Sequence, residues 1–96
     1  MKMILIAYNA AIDDEVMEAV ESAGIDSFTK IPEVIGKGHT SEPHFHTDVW
    51  PGYNNLLLAV AEDEIVAGVM EVMRNLRTTL GKEGVKAFSV KIEEVT

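Results

Sequence analysis

The 96-residue sequence contains no cysteine and few basic residues. Without cysteine there are no disulfides, thiolate metal ligands or cysteine nucleophile, so any metal site must use nitrogen and oxygen ligands. Eight basic residues against sixteen acidic ones give a net charge of −8. This charge opposes non-specific binding to nucleic acid or to an anionic membrane surface. We therefore predict no nucleic-acid partner and no direct membrane insertion.

Long apolar runs are also absent. No stretch approaches the roughly 20 apolar residues of a membrane-spanning helix. The opening MKMILIAY is followed by polar and acidic residues without a small-residue cleavage pattern, which is unlike a secretory leader. The length and the hydrophobic content of 47% are typical of one folded domain. We expect a single cytoplasmic domain over residues 1–96.

The apolar periodicity predicts four strands and two helices. The strands are predicted at residues 3–8, 27–35, 54–61 and 85–95. Between them, the first helix is predicted to begin with Asp13 as its N-cap and to end at Gly24, and the second to run from an Asp63 cap to Gly81. In the last strand, alternation predicts that Phe88, Val90 and Ile92 face the core.

The resulting βαββαβ order predicts an α+β, ferredoxin-like fold. With right-handed crossovers, this order gives a four-stranded antiparallel sheet with both helices on one face. Pro32 lacks an amide donor and is tolerated mainly at an edge or a bulge, which agrees with an edge position for the second strand.

Residues 36–53 are predicted to form one long loop, and a loop this long in a small domain is often functional. It contains all three histidines, His39, His44 and His46, with Glu42 and Asp48 nearby. Imidazole and carboxylate ligands suit Cu²⁺, Zn²⁺ or Ni²⁺. The alternative is a polar loop whose histidines are solvated or bonded to backbone carbonyls.

Two aromatic residues stand at the downstream end of this loop. Trp50 and Tyr53 flank Pro51 and Gly52. One interpretation is an aromatic hinge that packs the loop base against a neighbouring protein. The other is a stacking surface for a base. We predict a partner-binding role for both residues.

Glycine and lysine recur in two predicted turns. Gly36 and Gly38 bracket Lys37, while Gly84 and Lys86 belong to a second glycine-rich turn. Amide-rich turns of this kind can cradle phosphates. Ordinary turn chemistry, with lysines in solvent, is the alternative. Arg74 and Arg77 on the second helix are predicted to lie on a solvated face.

The sequence gives little support for catalysis, because its serines lie in no recognised nucleophile motif. We predict that the protein is not an enzyme. An enzyme using His39 or His46 as a general base stays open as an alternative, since ferredoxin-like domains host many functions.

Five segments, taken in order, resemble the PII-type nitrogen regulatory proteins along nearly the whole chain. They are MKMI, IDDEVMEAV, EVIGKGH, EDE and LRTTLGKEGVKAF with the following IEEV. The resemblance implies a homotrimer with regulatory function, a long loop that inserts into partner proteins, and nucleotide clefts between subunits. It places Gly36 and Gly38 at the loop base, Gly84 and Lys86 in the phosphate-contacting turn, and Arg77 and Thr78 in the lead-in to that turn.

The chain also departs from the PII pattern. Its loop is shorter, lacks the tyrosine segment that is modified in many members, and carries three histidines instead. The glycine turn has an inserted residue, and the basic C-terminal segment that assists ATP binding is missing. The histidine loop resembles a divergent PII-like branch associated with heavy-metal efflux, and the W-x-G element at Trp50 resembles the trimeric CutA proteins.

Three hypotheses follow. The leading one is a trimeric PII-like regulator whose loop binds a transition metal through His39, His44 and His46 and modulates a partner such as a membrane transporter. The alternative is a regulator that binds an adenine nucleotide at Gly36, Gly38, Gly84 and Lys86. A small enzyme is the third.

Overall fold

The chain folds in the predicted order of strands and helices. The computed structural model describes residues 1–36, 53–80 and 84–96. The elements are β1 (Lys2–Asn9), a 3₁₀ turn (Ala10–Ile12), α1 (Asp13–Ser22), β2 (Thr29–Val34), β3 (Asn54–Ala61), α2 (Asp63–Leu80) and β4 (Val85–Lys91). Most of the predicted 36–53 loop lies outside these described ranges.

The four strands form one antiparallel sheet in the order β2-β3-β1-β4. This is the ferredoxin-like arrangement expected from the βαββαβ order. β2 lies at an edge, as Pro32 requires, and its pairing with β3 is interrupted by a bulge between Ile31 and Val34. β1 and β3 occupy the centre and share an unbroken register from the Lys2–Ala61 pair to the Asn9–Asn54 pair.

The hydrophobic core lies between the helices and one face of the sheet. Ile4, Ile6 and Leu57 project from the central strands and are fully buried. The helices bury residues at helical spacing, Val16 and Val20 from α1 and Val66, Val69 and Met73 from α2. Both helices therefore cover the same face, and none of the helices in the described part of the chain has the length and hydropathy needed to cross a membrane.

The end of α1 confirms the prediction for Gly24, while its beginning does not follow the predicted cap. Gly24 has a φ of +108°, and the bonds from Gly24 N–H to Glu21 and from Ile25 N–H to Val20 form a Schellman motif. At the other end, Ile12 occupies the N-cap position without a side-chain bond. Asp13 is instead the first helical residue, and its carboxylate is engaged in tertiary contacts.

The predicted cap of α2 also requires correction. Asp63 is the first helical residue, and the carbonyl of Glu62 accepts the first helical bond, from Val66 N–H, at 3.0 Å. The Asp63 carboxylate pairs with the amino group of Met1 at 3.2 Å. An acidic side chain at this position still interacts favourably with the helix dipole.

β4 is shorter than predicted, and its faces are opposite to those expected. The strand ends at Lys91, and Phe88 and Val90 are each 47% exposed within the subunit. Their register partners Leu5 and Met3 lie on the side of the sheet away from the helices. Val85 and Ala87 face the helices instead.

This second side of the sheet, which we call the helix-free face, is apolar on every strand. By register its apolar members are Met3, Leu5, Ala7, Ile31, Leu56, Leu58, Val60, Phe88 and Val90, and its polar members are Asn9, Thr29, Asn54 and Lys86. Both faces of the sheet are therefore apolar, although the two helices cover only one of them.

Candidate functional site

The predicted glycine segments, which contain Gly36 and Gly84, both lie at one end of the sheet. β1 and β2 end there, whereas β3 and β4 begin there. Backbone bonds join the segments: Asn9 N–H donates to Gly84 O, and Ala10 N–H donates to Tyr53 O, both at 2.9 Å. We call this region the glycine end, defined by Asn9, Gly36, Tyr53 and Gly84.

Gly36 fits closely against the start of β3. A Cβ atom at this position would lie 2.7 Å from the side-chain nitrogen of Asn54, which is closer than real Cβ contacts. A glycine therefore leaves room for the Asn54 amide. This packing requirement is compatible with a backbone contact to a ligand, and it is also a structural reason for glycine by itself.

Gly36 and Gly84 lie on opposite sides of the glycine end. Gly36 follows β2 and Gly84 precedes β4, and these are the two outer strands of the sheet. Three strand spacings separate them, roughly 14 Å, since neighbouring strands are about 4.8 Å apart. Within one subunit, the two glycine segments cannot converge on the same phosphate group.

The basic residues near the glycine end differ in their exposure to solvent and in their contacts. Lys86 pairs with Ala7 in the β1–β4 register and is exposed on the helix-free face, next to Gly84. Arg77 does not lie on a solvated face as predicted: it is half-buried, and its guanidinium donates to the carbonyl of Val85 at 2.7 Å. Arg77 thereby ties the end of α2 to the start of β4, while Arg74 is exposed and pairs with Glu71.

A polar network lies beside the glycine end, on the helix side of the sheet. The Asp13 carboxylate accepts bonds from the Tyr8 hydroxyl at 2.6 Å and from the Asn55 amide at 3.1 Å. Lys30 Nζ lies 3.1 Å from both Asp13 oxygens. We call these four residues the Asp13 network; it joins α1 to β1, β2 and β3.

The contacts of this network set the titration of its members. Burial alone raises the pKa of Asp13, but the bonds from Tyr8, Lys30 and Asn55 and the charge of Lys30 outweigh it and hold that pKa below its usual value. Burial, the bond to Asp13 and the Asp13 charge raise the pKa of Tyr8. The Tyr8 hydroxyl therefore stays protonated and donates across the physiological range.

Several predicted site residues lie outside the described ranges. They are Gly38, His39, His44, His46 and Trp50. Within residues 1–36, 53–80 and 84–96, no three His, Asp or Glu side chains are grouped to hold a metal ion. Tyr53 is described: it is half-buried and its carbonyl accepts the Ala10 bond. The metal site therefore stays a prediction.

Sequence reasoning missed the Asp13 network and the role of Arg77. Asn55 offers one signal, because the other inward-facing positions of its strand, NNLLLAVA, are apolar. A polar side chain that is 5% exposed needs a partner. Its partners could not be read from the strand itself, since Asp13 and Glu33 are distant in sequence.

A family model described as nitrogen regulatory protein P-II matches residues 1–96. This match spans the whole chain and includes the segments on which the sequence resemblance rests. No curated protein matches the chain. The likeness to metal-efflux-associated relatives and to CutA proteins stays a prediction.

Solved structures of PII-like proteins have the same fold as this chain. CPII from Thiomonas intermedia K12 bound to ADP, AMP and acetate is 17% identical, with a TM-score of 0.74, covering 99% of this chain and 88% of CPII. The same protein bound to ADP and bicarbonate is 15% identical, with a TM-score of 0.72 and coverage of 97% and 88%. A protein from Thermus thermophilus described as PII-like is 18% identical, with a TM-score of 0.66 and coverage of 92% and 81%. At these identities the likeness shows the fold.

The lowered pKa of Asp13 predicts pH-dependent stability. A carboxyl whose pKa is lower in the folded state stabilises the fold above its unfolded pKa, about 3.9, and this contribution is lost as the pH falls through the folded pKa. We expect Asp13→Asn to lower the free energy of unfolding by about 1–3 kcal/mol at neutral pH. The deficit should shrink as the pH falls below about 4. Urea unfolding at a series of pH values measures it.

Asp26→Asn is the matched control, because Asp26 is exposed. It should change stability by less than about 0.5 kcal/mol at every pH. Equal stability of Asp13→Asn and the wild type at neutral pH would contradict the assigned role of the network.

Proposed function

Because the chain belongs to the nitrogen regulatory protein P-II family over residues 1–96, we propose that it is a cytoplasmic, homotrimeric regulatory protein that binds an adenine nucleotide between subunits. The observation that carries this proposal is the placement of the two glycine segments on opposite outer strands at one end of the sheet. A regulatory role, with no catalytic step, accords with the family. The cysteine-free sequence suits a reducing compartment.

The helix-free face supports assembly. It is apolar on all four strands, and Ile31, Val60, Phe88 and Val90 are each at least 40% exposed on it. A continuous apolar surface of this kind marks an interaction site in a soluble protein. Copies of the same chain are the occupants that the family suggests, and closed symmetry would cover the face on every subunit.

Assembly would also bring the glycine segments together. Gly36 and Gly84 lie on opposite outer strands, so the β2 side of one subunit can adjoin the β4 side of the next. The amide of Gly36 from one subunit, with the amide of Gly84 and the ammonium group of Lys86 from its neighbour, would then contact one nucleotide. Backbone amides and a lysine are suitable ligands for phosphate oxygens.

The choice of nucleotide follows from the comparisons. CPII has been solved with ADP and bicarbonate and with ADP, AMP and acetate. We extend adenine nucleotide binding to this chain on the basis of the shared fold and of the glycine and lysine residues at the glycine end. Gly38 lies outside the described residues and stays a predicted contributor.

Transition-metal binding is the second candidate function. It is supported by one observation in the sequence, the three histidines His39, His44 and His46 within eight residues of each other. Neutral imidazoles are suitable ligands for Cu²⁺, Zn²⁺ and Ni²⁺. In this proposal metal binding orders the loop, and the ordered loop, with Trp50 and Tyr53 at its downstream end, engages a partner such as a transporter.

The nucleotide proposal is tested by calorimetric titration with ADP and AMP. Lys86→Met keeps the aliphatic part of the side chain and removes the charge that would contact phosphate. We expect it to weaken ADP binding about ten- to a hundredfold, the cost of a lost charge-assisted bond. Lys91→Met is the control, because Lys91 is an exposed lysine at the far end of the same strand. Equal affinities of the two variants, or no ADP binding by the wild type, would refute the proposal.

Mixed trimers test whether the site lies between subunits. Gly36→Asp places a carboxylate where the nucleotide phosphates would approach and a Cβ atom against the Asn54 amide, so this variant and Lys86→Met should each bind poorly. When the two are unfolded together and reassembled, about one site in four should combine an intact Gly36 with an intact Lys86 from a neighbour. Recovered binding supports the site between subunits, whereas no recovery contradicts it.

The metal proposal is tested on metal-stripped protein with Cu²⁺, Zn²⁺ and Ni²⁺ in turn. We expect the wild type to bind at least one of these ions, and the double variant His44→Ala with His46→Ala to lose at least about tenfold in affinity, since two ligands are removed. ADP affinity serves as the control and should not change. Unchanged metal affinity in the double variant would exclude this function.

A further inference from the structure

The bulge in β2 places two residues opposite one. The pairs Ile31–Leu56 and Val34–Asn54 leave Pro32 and Glu33 facing Asn55 alone. Pro32 has no amide hydrogen to donate to the ladder. Glu33 has a φ of +59°, in the left-handed region that non-glycine residues seldom adopt. Such a conformation persists only where its surroundings hold it.

Asn55 holds the bulge through its side chain. Its carbonyl oxygen accepts the Glu33 N–H at 3.3 Å, and its amino group donates to Asp13 at 3.1 Å. The two bonds use opposite sides of the same amide, so the contact with Asp13 fixes the orientation that Glu33 requires. With Asn55 only 5% exposed, water is a poor substitute for either partner.

Asp13 also holds β2 directly. Lys30 belongs to β2 and reaches both carboxylate oxygens of Asp13 at 3.1 Å. The carboxylate therefore contacts the strand by two routes, through Lys30 itself and through Asn55 to Glu33. Tyr8, buried in the core, donates the third bond and fixes the carboxylate in place.

The rest of β2 contributes little to the core. Five of its six residues are exposed and Val34 is half-buried, so none belongs to the buried core cluster. The central strands β1 and β3, in contrast, bury Ile4, Ile6 and Leu57 completely. Segments with few buried apolar contacts open locally at lower free energy than the core does.

We propose that Asp13 is a latch that fastens the bulged end of β2 to the start of α1, and that loss of the latch opens residues 31–36 while the remaining sheet stays folded. The charged members are reachable from solvent, since the side chains of Asp13 and Lys30 are 29% and 32% exposed. The ion pair of the latch is therefore accessible to solvent.

This inference does not rest on the proposed function. If that function holds, the latch acquires a regulatory consequence, because the segment it positions includes Gly36. A released β2 end would then move one half of the nucleotide site and leave Gly84 and Lys86 in place.

The Glu33 amide provides a direct readout, because it is bonded to the Asn55 side chain. We expect Lys30→Met and Asp13→Asn each to accelerate its hydrogen exchange, followed by NMR on the full chain, about tenfold, the cost of one bond to a charged group. In the wild type and in both variants, the Glu33 amide should exchange at a lower opening free energy and with a weaker urea dependence than the amides of β1 and β3, which exchange through global unfolding. The control is Arg74→Met, which removes an ion pair that is exposed on α2 and distant from β2.

Two results would overturn the proposal. Exchange at Glu33 that changes no more in Lys30→Met and Asp13→Asn than in Arg74→Met would show that the network does not hold the bulge. An opening free energy and urea dependence at Glu33 equal to those of the β1 and β3 amides would show that no local unit opens. Because Lys30 is peripheral to the core, Lys30→Met keeps the test valid if Asp13→Asn does not fold.

Discussion

The helix-free face of the sheet is apolar on all four strands, and the two helices cover only the opposite face. A sheet with two apolar faces needs a layer on each of them. In the described part of the chain the two helices leave the second face uncovered, and we propose that neighbouring subunits supply its layer. In the proposed assembly a neighbouring subunit supplies both the second layer and the missing half of the glycine end, so the remaining features depend on this constraint.

The two outer strands of the sheet, β2 and β4, are held in place by different contacts. β1 and β3 form the rigid centre, and the segments at the glycine end are tied to them by backbone bonds from Asn9 and Ala10. β4 is fastened to α2 by Arg77. β2 is held chiefly by its ladder to β3 and by the Asp13 network. One outer strand therefore belongs to the stable body of the domain, while the other is a local unit whose position depends on polar contacts.

Much of the architecture could be predicted from the sequence, since its signals are local. Pro32 indicated an edge strand, Gly24 indicated the end of α1, and the apolar spacing in α2 indicated its buried stripe. The order of the elements then led to the ferredoxin-like topology.

The unpredicted features depend on contacts between distant segments. Asp13 has the sequence context of an N-cap, but Lys30 and Asn55 engage its carboxylate and a different residue occupies the cap. The alternation in β4 separates two faces without showing which one meets the helices, because both pairs, Val85 with Ala87 and Phe88 with Val90, are apolar. The sequence indicated which residues could form the nucleotide site. It did not show how they are arranged, because the distance between Gly36 and Gly84 is set by the strand order.

Assembly through the helix-free face is the central claim, and the mass of a matched pair of variants by light scattering tests it most directly. Leu58 lies on a central strand of that face, paired with Leu5, whereas Ala67 is exposed on α2. Both can be changed to glutamate, and circular dichroism can verify that the fold is retained. The account predicts that the wild type and Ala67→Glu have the mass of a trimer and that Leu58→Glu has the mass of a monomer. A monomeric wild type, or a Leu58→Glu protein that remains trimeric, would contradict it.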